Sequence, residues 1–592
     1  MTDASADPFD QTRDGKGQDT TPVDCMTEVS EKTTSLAVTG LGLLIACFLL
    51  GLFACQLNQQ LYQHHAPFYD SLSYNEKMFR VMTTARESGF IESLELACFT
   101  NNTNCLPFLI GAAIAPAVEP SRLVGVWIQT GLLFLFLLSL LYYLVRIRTL
   151  SPTTAFAGCL VFLGARCLFL PNGGLSDFRM DFSLFIGFGM TCVWFLSSMQ
   201  SPSRKHFLLL GVSAAICCLL RATTPIYLVF SLAPLCVVEL IPASQRKEKL
   251  TGLLLASGVV VVLSGWFFAI NFEFLKYYYF EWNTDANAKI PFVDALQHWK
   301  MAQRSVGEPL ALMLISWGVA VLLSTRKSQS IGQWVRSAIQ KRDIDWRIAW
   351  LGLSPVLMMI ARRAGLNPFV SMPAVFGLIL FFTLPCLTQM DRLKDKTLTR
   401  FCWIILLVTI TITFARGWTR HSSVKFDSMK PHQVLIDTIV SDAKDRGRDE
   451  VTFSVAQITD LDANILYSTL LFDRPDGLPT LEGVLIDGIK IKRIAAFAYP
   501  AEADWKRLAG EDNEEKVQNL VSDARDRVDY LIIADEASSQ QIPQFLDHNV
   551  VNRHLVRIRE LVSQDENWSP IERGIQSAES EFVEVYRNTT RN

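Results

Sequence analysis

Of 592 residues half are hydrophobic, Phe alone occurs 38 times, and the mean hydropathy is +0.24. With only 19% charged residues, that balance excludes a soluble protein and describes a chain that crosses a membrane many times. The net charge of −3 excludes a nucleic-acid partner, because phosphate binding needs concentrated positive charge.

Residues 1–34 are polar, Asp/Thr-rich and aperiodic, and read as a disordered cytoplasmic tail with no cleavable signal. The first apolar run, 35–57, is long enough for a hydrocarbon layer of roughly 30 Å and reads as a signal anchor. Further runs at 123–145, 152–170, 182–199, 207–220, 222–241, 251–270, 309–324, 348–361, 368–389 and 401–416 bring the expected spans to eleven. Lys and Arg concentrate in alternate connections, at Arg146 and Arg148, Arg204 and Lys205, Arg246 to Lys249, 326–347 and 392–400. The positive-inside bias makes those connections cytoplasmic, with the amino terminus inside and the carboxyl terminus outside. Loops 58–122, 171–181 and 271–308 then share the outer face, and 291–304 reads as a helix lying on that surface.

Beyond residue 417 the composition turns soluble. A helical pattern around 432–444, strands at 451–455, 493–499 and 530–534, and a polar helix at 514–525 predict a small extracytoplasmic α/β domain over 417–592. It carries no phosphate-binding loop and is assigned no chemistry. The predicted fold class is therefore mainly α, a polytopic helical domain over 35–416 followed by that α/β domain.

Ten of the 13 cysteines fall in apolar runs, where cysteine is a small hydrophobe. Cys98 and Cys105 instead bracket a short polar stretch in the first loop, a closure suited to a disulfide on an oxidising side.

The candidate chemistry gathers on the outer loops. Asp70 follows the first span and has Tyr69, Tyr74 and Glu76 beside it as hydrogen-bonding groups. A carboxylate there can serve as a general base or a metal ligand, or it can cap a helix over 71–87. Asp177 and Asp181 stand four residues apart and share one face if the helix entering the fourth span includes both. Two such carboxylates repel unless a cation lies between them. A divalent metal such as Mg²⁺ or Mn²⁺ fills that role, and so does a guanidinium, from Arg179 or Arg166. Arg166 and Arg221 sit at span ends, where arginine either grips a lipid phosphate or snorkels to the interface. Arg362, Arg363 and Asn367 form a further cationic edge. His64 and His65 are adjacent and cannot easily share one metal.

With Tyr69-Asp70-Ser-Leu-Ser-Tyr74, the run Leu106-Pro-Phe-Leu-Ile-Gly, the acidic Ser176-Asp177-Phe-Arg179-Met-Asp181 and Arg363-Ala-Gly-Leu-Asn-Pro368, the chain resembles the GT-C class of integral-membrane glycosyltransferases. That group includes protein O-mannosyltransferases and the aminoarabinose transferases of lipid A. The resemblance covers about residues 35–416 and implies a bacterial inner-membrane enzyme. Such an enzyme transfers a hexosyl or pentosyl group, with inversion, from a polyprenyl-phosphate donor to a glycan, lipid or protein acceptor on the outer face. It implies Asp70 as base, Asp177 and Asp181 on a metal or the sugar, and Arg221 or Arg363 on the leaving phosphate. The chain departs from the pattern in separating its second-loop acids by three residues, where many relatives carry Asp-x-Asp, and in lacking the Asp-Glu doublet of the mannosyltransferases.

Two rival readings are a transporter or flippase of lipid-linked glycans, which favours internal repeats and midplane polar groups, and a membrane scaffold with an outer partner-binding domain. The orientation is directly testable. A phosphatase fused after Asn592 is expected to be active outside the cell, and an inactive fusion inverts the whole arrangement.

Overall fold

A computed structural model describes residues 22–62, 69–99, 102–171, 173–243, 245–277, 292–325, 332, 336, 344–362, 372–422, 429–455, 478–479, 483–493, 514–534, 548–575 and 583–591. The helices that build the membrane part are α1 (Pro22–Tyr62), α2 (Tyr69–Glu87), α3 (Arg122–Tyr142), α4 (Pro152–Val161), α5 (Met180–Gln200), α6 (Arg204–Leu220) and α7 (Thr224–Leu240). They continue with α8 (Arg246–Ile270), α9 (Gln297–Val306), α10 (Glu308–Thr325), α11 (Trp346–Arg362), α12 (Pro373–Leu393) and α13 (Lys396–Ser422).

Every apolar run read from the sequence falls on one of these helices. Seven of them, α1, α3, α5, α8, α10, α12 and α13, are long and apolar enough to cross a membrane. The other four runs, in α4, α6, α7 and α11, form helices of 10 to 17 residues, so the expected eleven spans divide into seven full-length and four shorter ones. Polar caps and turns set those lengths. Ser151 accepts the Thr154 N–H to start α4, which then tightens into 3₁₀ turns, and Ser203 accepts the His206 N–H to start α6.

Helix α5 is the hub. All its residues but Gln200 are buried, with α3, α6 and α12 packed around it. By contrast α1, α8 and α13 turn Leu41, Phe48, Val261, Val262, Ile404 and Val408 outward, the apolar exterior that a bilayer covers. Helices α11 and α12 meet backbone to backbone at Gly352 and Gly377, the small-residue contact through which membrane helices gain close packing.

The C-terminal part contains α14 (Met429–Asp445), a sheet, α15 (Glu514–Arg527) and α16 (His548–Gln564). The strands are β1 (Glu450–Val455), β2 (Leu478–Pro479), β3 (Gly483–Ile486), β4 (Ile489–Arg493), β5 (Tyr530–Ala534), β6 (Trp568–Ile575) and β7 (Val583–Asn588). Their order is β2-β3-β4-β1-β5-β7-β6; β1 runs parallel to β4 and β5, and the other pairs are antiparallel. This core is tied to the membrane part: Phe79 of α2 packs with Leu435, Ile436 and Ile439 of α14 and the buried faces of β1 and β5.

Several expectations need correction. Helix α1 begins at Pro22, so residues 22–34 continue the helix instead of forming a disordered tail. Helix α13 carries past 417 to Ser422. Of the strand predicted at 493–499, Arg493 is the last residue of β4, and 494–499 lie outside the described residues. The helix expected to lie on the surface over 291–304 is present as α9, which exposes Trp299, Lys300, Gln303 and Arg304 and packs its inner face, with Ala302, on Val356 and Ala374.

A Cβ added at Gly377 would overlap backbone atoms of Gly352, which cannot rotate away. Gly377→Ala is expected to push α11 from α12 and lower stability by about 1–3 kcal/mol, seen as a lower thermal midpoint in detergent.

Candidate active site

The acids stand at the bundle end where α1 and α13 finish and α3 and α5 begin. Helix α5 starts at Met180, with Arg179 extended as its cap, so Asp177 lies in the turn before the helix. The expected shared helical face for Asp177 and Asp181 is therefore not formed. Glycine is the reason. Gly173 takes φ +84°, and a Cβ on Gly174 would stand 2.5 Å from the Leu170 carbonyl oxygen, so the chain folds back as a tight turn.

Inside that turn Asp177 is fully engaged. Its Oδ2 accepts the Gly173 N–H at 2.6 Å and its Oδ1 accepts the Tyr62 hydroxyl at 2.9 Å. Tyr62 is the last residue of α1, and the Arg122 guanidinium lies 4.9 Å from its ring centre, a cation–π contact. One turn earlier, Asn58 donates to the Ser176 carbonyl at 2.7 Å. The Ser176 hydroxyl meets His421 Nε2 at 2.8 Å, and His421 Nδ1 faces the Gly417 carbonyl at 2.8 Å. A carbonyl only accepts, so Nδ1 carries the proton and Nε2 accepts from Ser176.

Asp181, in the first turn of α5, is paired with Arg221 and lies 3.5 Å from Arg179 Nε. Gln129 of α3 donates to the Arg179 carbonyl at 2.9 Å and fixes the cap. Arg221 occupies the turn between α6 and α7, and the first loop holds that turn. The Cys105 N–H donates to the Leu219 carbonyl at 3.0 Å, and the Ala222 N–H to the Thr103 carbonyl at 2.7 Å. Beneath this strap Cys98 and Cys105 are buried and free, so the disulfide expected between them is not formed, and Lys77 donates to Asn102. Burial pushes the Lys77 ammonium down to a pKa of about 8.

The partners of the two carboxylates are thus a tyrosine, arginines and a backbone N–H. Among the described residues no group of three or more His, Cys, Asp or Glu converges. That donor set fits an ion-paired cluster and does not fit a divalent metal.

The structure brings Asp177, Asp181, Arg179 and Arg221 together and adds Tyr62, Arg122, Asn58, Gln129 and His421, which sequence reasoning passed over. A signal existed for some of them: Asn58 and Tyr62 stand at i, i+4, on one face of α1 just past its apolar stretch. Tyr69 and Asp70 fall in the first turn of α2, so Asp70 is inside the helix and not the residue before it; their side chains lie outside the described residues. One turn on, the Tyr74 ring packs edge-on against Phe178 at 6.4 Å, and Glu76 is buried.

Arg166 joins a different group. Together with Glu308, Arg416 and Arg420 it lines a small pocket, where Arg416 pairs with Glu308 at 3.2 Å and Arg166 Nε is buried without a hydrogen-bond partner among the described residues. Arg362 is exposed at the end of α11. His64, His65, Arg363 and Asn367 lie outside the described residues.

No family model matches the chain, and no curated protein matches it. Among solved structures it is similar to ArnT from Cupriavidus metallidurans bound to undecaprenyl phosphate, at 10% identity and TM-score 0.44, covering 92% of this chain and 97% of that one. It is similar also to the mycobacterial arabinofuranosyltransferase AftD, at 10% identity and TM-score 0.44, covering 91% of this chain and 41% of that one. A third is the oligosaccharyltransferase AglB from Archaeoglobus fulgidus in complex with an inhibitory peptide and a dolichol-phosphate, at 10% identity and TM-score 0.40, covering 82% and 69%.

Gly125 of α3 sits against the Phe178 ring, with no room for a Cβ between them. Gly125→Ala removes no polar group yet displaces the residue next to Asp177. A shift near 1 Å is expected to lower turnover roughly 10²-fold while leaving the folded yield close to that of the parent; unchanged turnover would detach this turn from the site.

Proposed function

We propose that the chain is an integral-membrane glycosyltransferase that moves a sugar from a polyprenyl-phosphate donor to an acceptor at the outer face. One observation carries this reading. The acid-bearing turn, through the Ser176–His421 hydrogen bond, is joined to the last turns of α13, and those same turns hold Arg416 and Arg420 beside Arg166. Acids and a cationic pocket are thereby built as neighbours at one end of the bundle.

The chemistry follows from that pairing. An acceptor hydroxyl attacks the anomeric carbon and gives its proton to a carboxylate, for which Asp70 is the candidate. The bond from that carbon to the phosphate oxygen breaks, and its electron pair leaves with the polyprenyl phosphate. Back-side attack inverts the centre. Charge then develops on the departing phosphate, and guanidinium groups placed there stabilise it more than they stabilise the donor. Arg166 offers an unused buried donor for that purpose, with Arg416 and Arg420 beside it. Below the pocket, α10 exposes Leu312 and Ile315 and α13 exposes Val408 and Ile412, an aliphatic lane for a lipid chain. In this reading Asp177 and Asp181 hold the turn and orient the sugar.

The buried charges among the described residues give no support to a transporter. Arg122, Asp177, Arg179 and Asp181 lie at one set of helix ends, and Lys249, Asp345 and Arg347 near others. A transport path needs polar groups at the midplane.

Purified protein given a panel of polyprenyl-phosphate sugars is expected to release polyprenyl phosphate. Asp70→Asn should lower the rate about 10²–10⁴-fold, the range for loss of a general base; an unchanged rate removes Asp70 from the chemistry. Activity is expected to survive exhaustive chelation, since arginines already satisfy Asp181, and loss on chelation restored by Mg²⁺ or Mn²⁺ would return a metal to the two acids.

A further inference from the structure

A large cavity lies at the opposite end of the bundle from the acids. Its volume is about 900 Å³, and it opens between the start of α1, the α3–α4 connection and the α12–α13 connection. Leu36 lines it while Tyr62 of the same helix touches Asp177, so the two sites stand about 40 Å apart at the helical rise per residue.

Four cations line this cavity: Arg146, Lys394, Lys396 and Arg400. None of them has an ion-pair or hydrogen-bonding partner for its charged group among the described residues. One carboxylate, Asp391, is present, and it is occupied otherwise: it accepts the Ser151 N–H at 3.2 Å and the Thr154 hydroxyl at 3.1 Å, tying α4 to α12. The wall therefore keeps an excess of positive charge that the protein itself does not neutralise.

Thr149 and Lys394, both in the wall, hold φ of +55° and +48°. Each closes a helix end, Lys394 as the cap of α12 and Thr149 just beyond the last turn of the α3 extension, where a left-handed residue commonly stops a helix.

We infer that this cavity binds the phosphate of an anionic phospholipid headgroup, in the leaflet opposite to the candidate active site. Lys and Arg without partners among the described residues select a phosphate, while the Thr149, Ser151 and Thr399 hydroxyls already donate to Arg148, Thr154 and Asp395 and leave its recognition to the cations. A lipid source is favoured over a soluble phosphate by the rest of the wall. Leu36, Val145, Leu150 and Met390 continue it onto apolar helix ends, where acyl chains leave the headgroup. The inference is independent of the glycosyl-transfer reading, because it uses none of its residues and concerns the other end of the bundle.

The test places the full chain in phosphatidylcholine nanodiscs doped with phosphatidylglycerol and counts the lipids that survive extraction by native mass spectrometry. The parent is expected to retain phosphatidylglycerol and to lose phosphatidylcholine. Lys394→Ala/Lys396→Ala should reduce that retention about tenfold or more, at roughly fivefold per cation removed. Lys394→Arg/Lys396→Arg should retain it, separating charge from misfolding. Inorganic phosphate should not displace the lipid. Equal retention by the alanine variant, equal retention of phosphatidylcholine, or displacement by inorganic phosphate would each overturn the assignment, the last in favour of a soluble anion.

Discussion

A charge inside a helical bundle in lipid must find a partner of opposite sign or reach water at a helix end. Helix α5 makes that constraint acute. It is enclosed along its whole length, so the carboxylate of Asp181 at its first turn has no solvent to turn to. Arg221 and Arg179 supply the partner charges, and both come from connecting turns, not from the spans. Removing both arginines while leaving the acid would strand a buried charge, which costs far more than the pairs themselves contribute. The position of the α6–α7 turn is thus tied to the register of α5, and the first loop, which hydrogen-bonds to that turn on both sides of Arg221, becomes part of the same arrangement.

The same logic explains why the neighbouring acid has a different set of partners. Asp177 lies in a glycine-built turn and is satisfied by a phenol and a backbone N–H. One carboxylate is balanced by guanidinium groups, and the other is held by neutral donors within reach of Arg122. Two acids four residues apart in sequence therefore occupy different electrostatic settings.

Much of this was legible in the sequence. All eleven apolar runs fall on helices, and Asp177, Asp181, Arg179 and Arg221 were named before their contacts were known. The shared face for the two acids failed because a helical period was extended across Gly173 and Gly174, where the backbone turns. Tyr62 and His421 escaped for another reason: they reach the acid turn from 115 and 245 residues away, and nothing local in the sequence announces such a meeting. Arg166 was grouped with the acids by its nearness in sequence, whereas the 3₁₀ turn from Arg166 to Phe169 carries it toward Arg416 and Arg420. The runs 152–170 and 222–241 are longer than their α-helices, 152–161 and 224–240, because hydropathy does not register where an α-helix tightens into 3₁₀ turns or meets a connection, whereas 207–220 and 348–361 lie within slightly longer helices.

One contact ties the order of synthesis to the assembly of the site. Phe79 belongs to the helix that carries Asp70 and Tyr74, yet it is buried in a core that includes β5 and its neighbour β7, at residues 583–588. About five hundred residues must therefore leave the ribosome before α2 has its full seat. The membrane bundle can insert and pack long before then. A chain released early would lack the strands that complete the core in which Phe79 of α2 is buried.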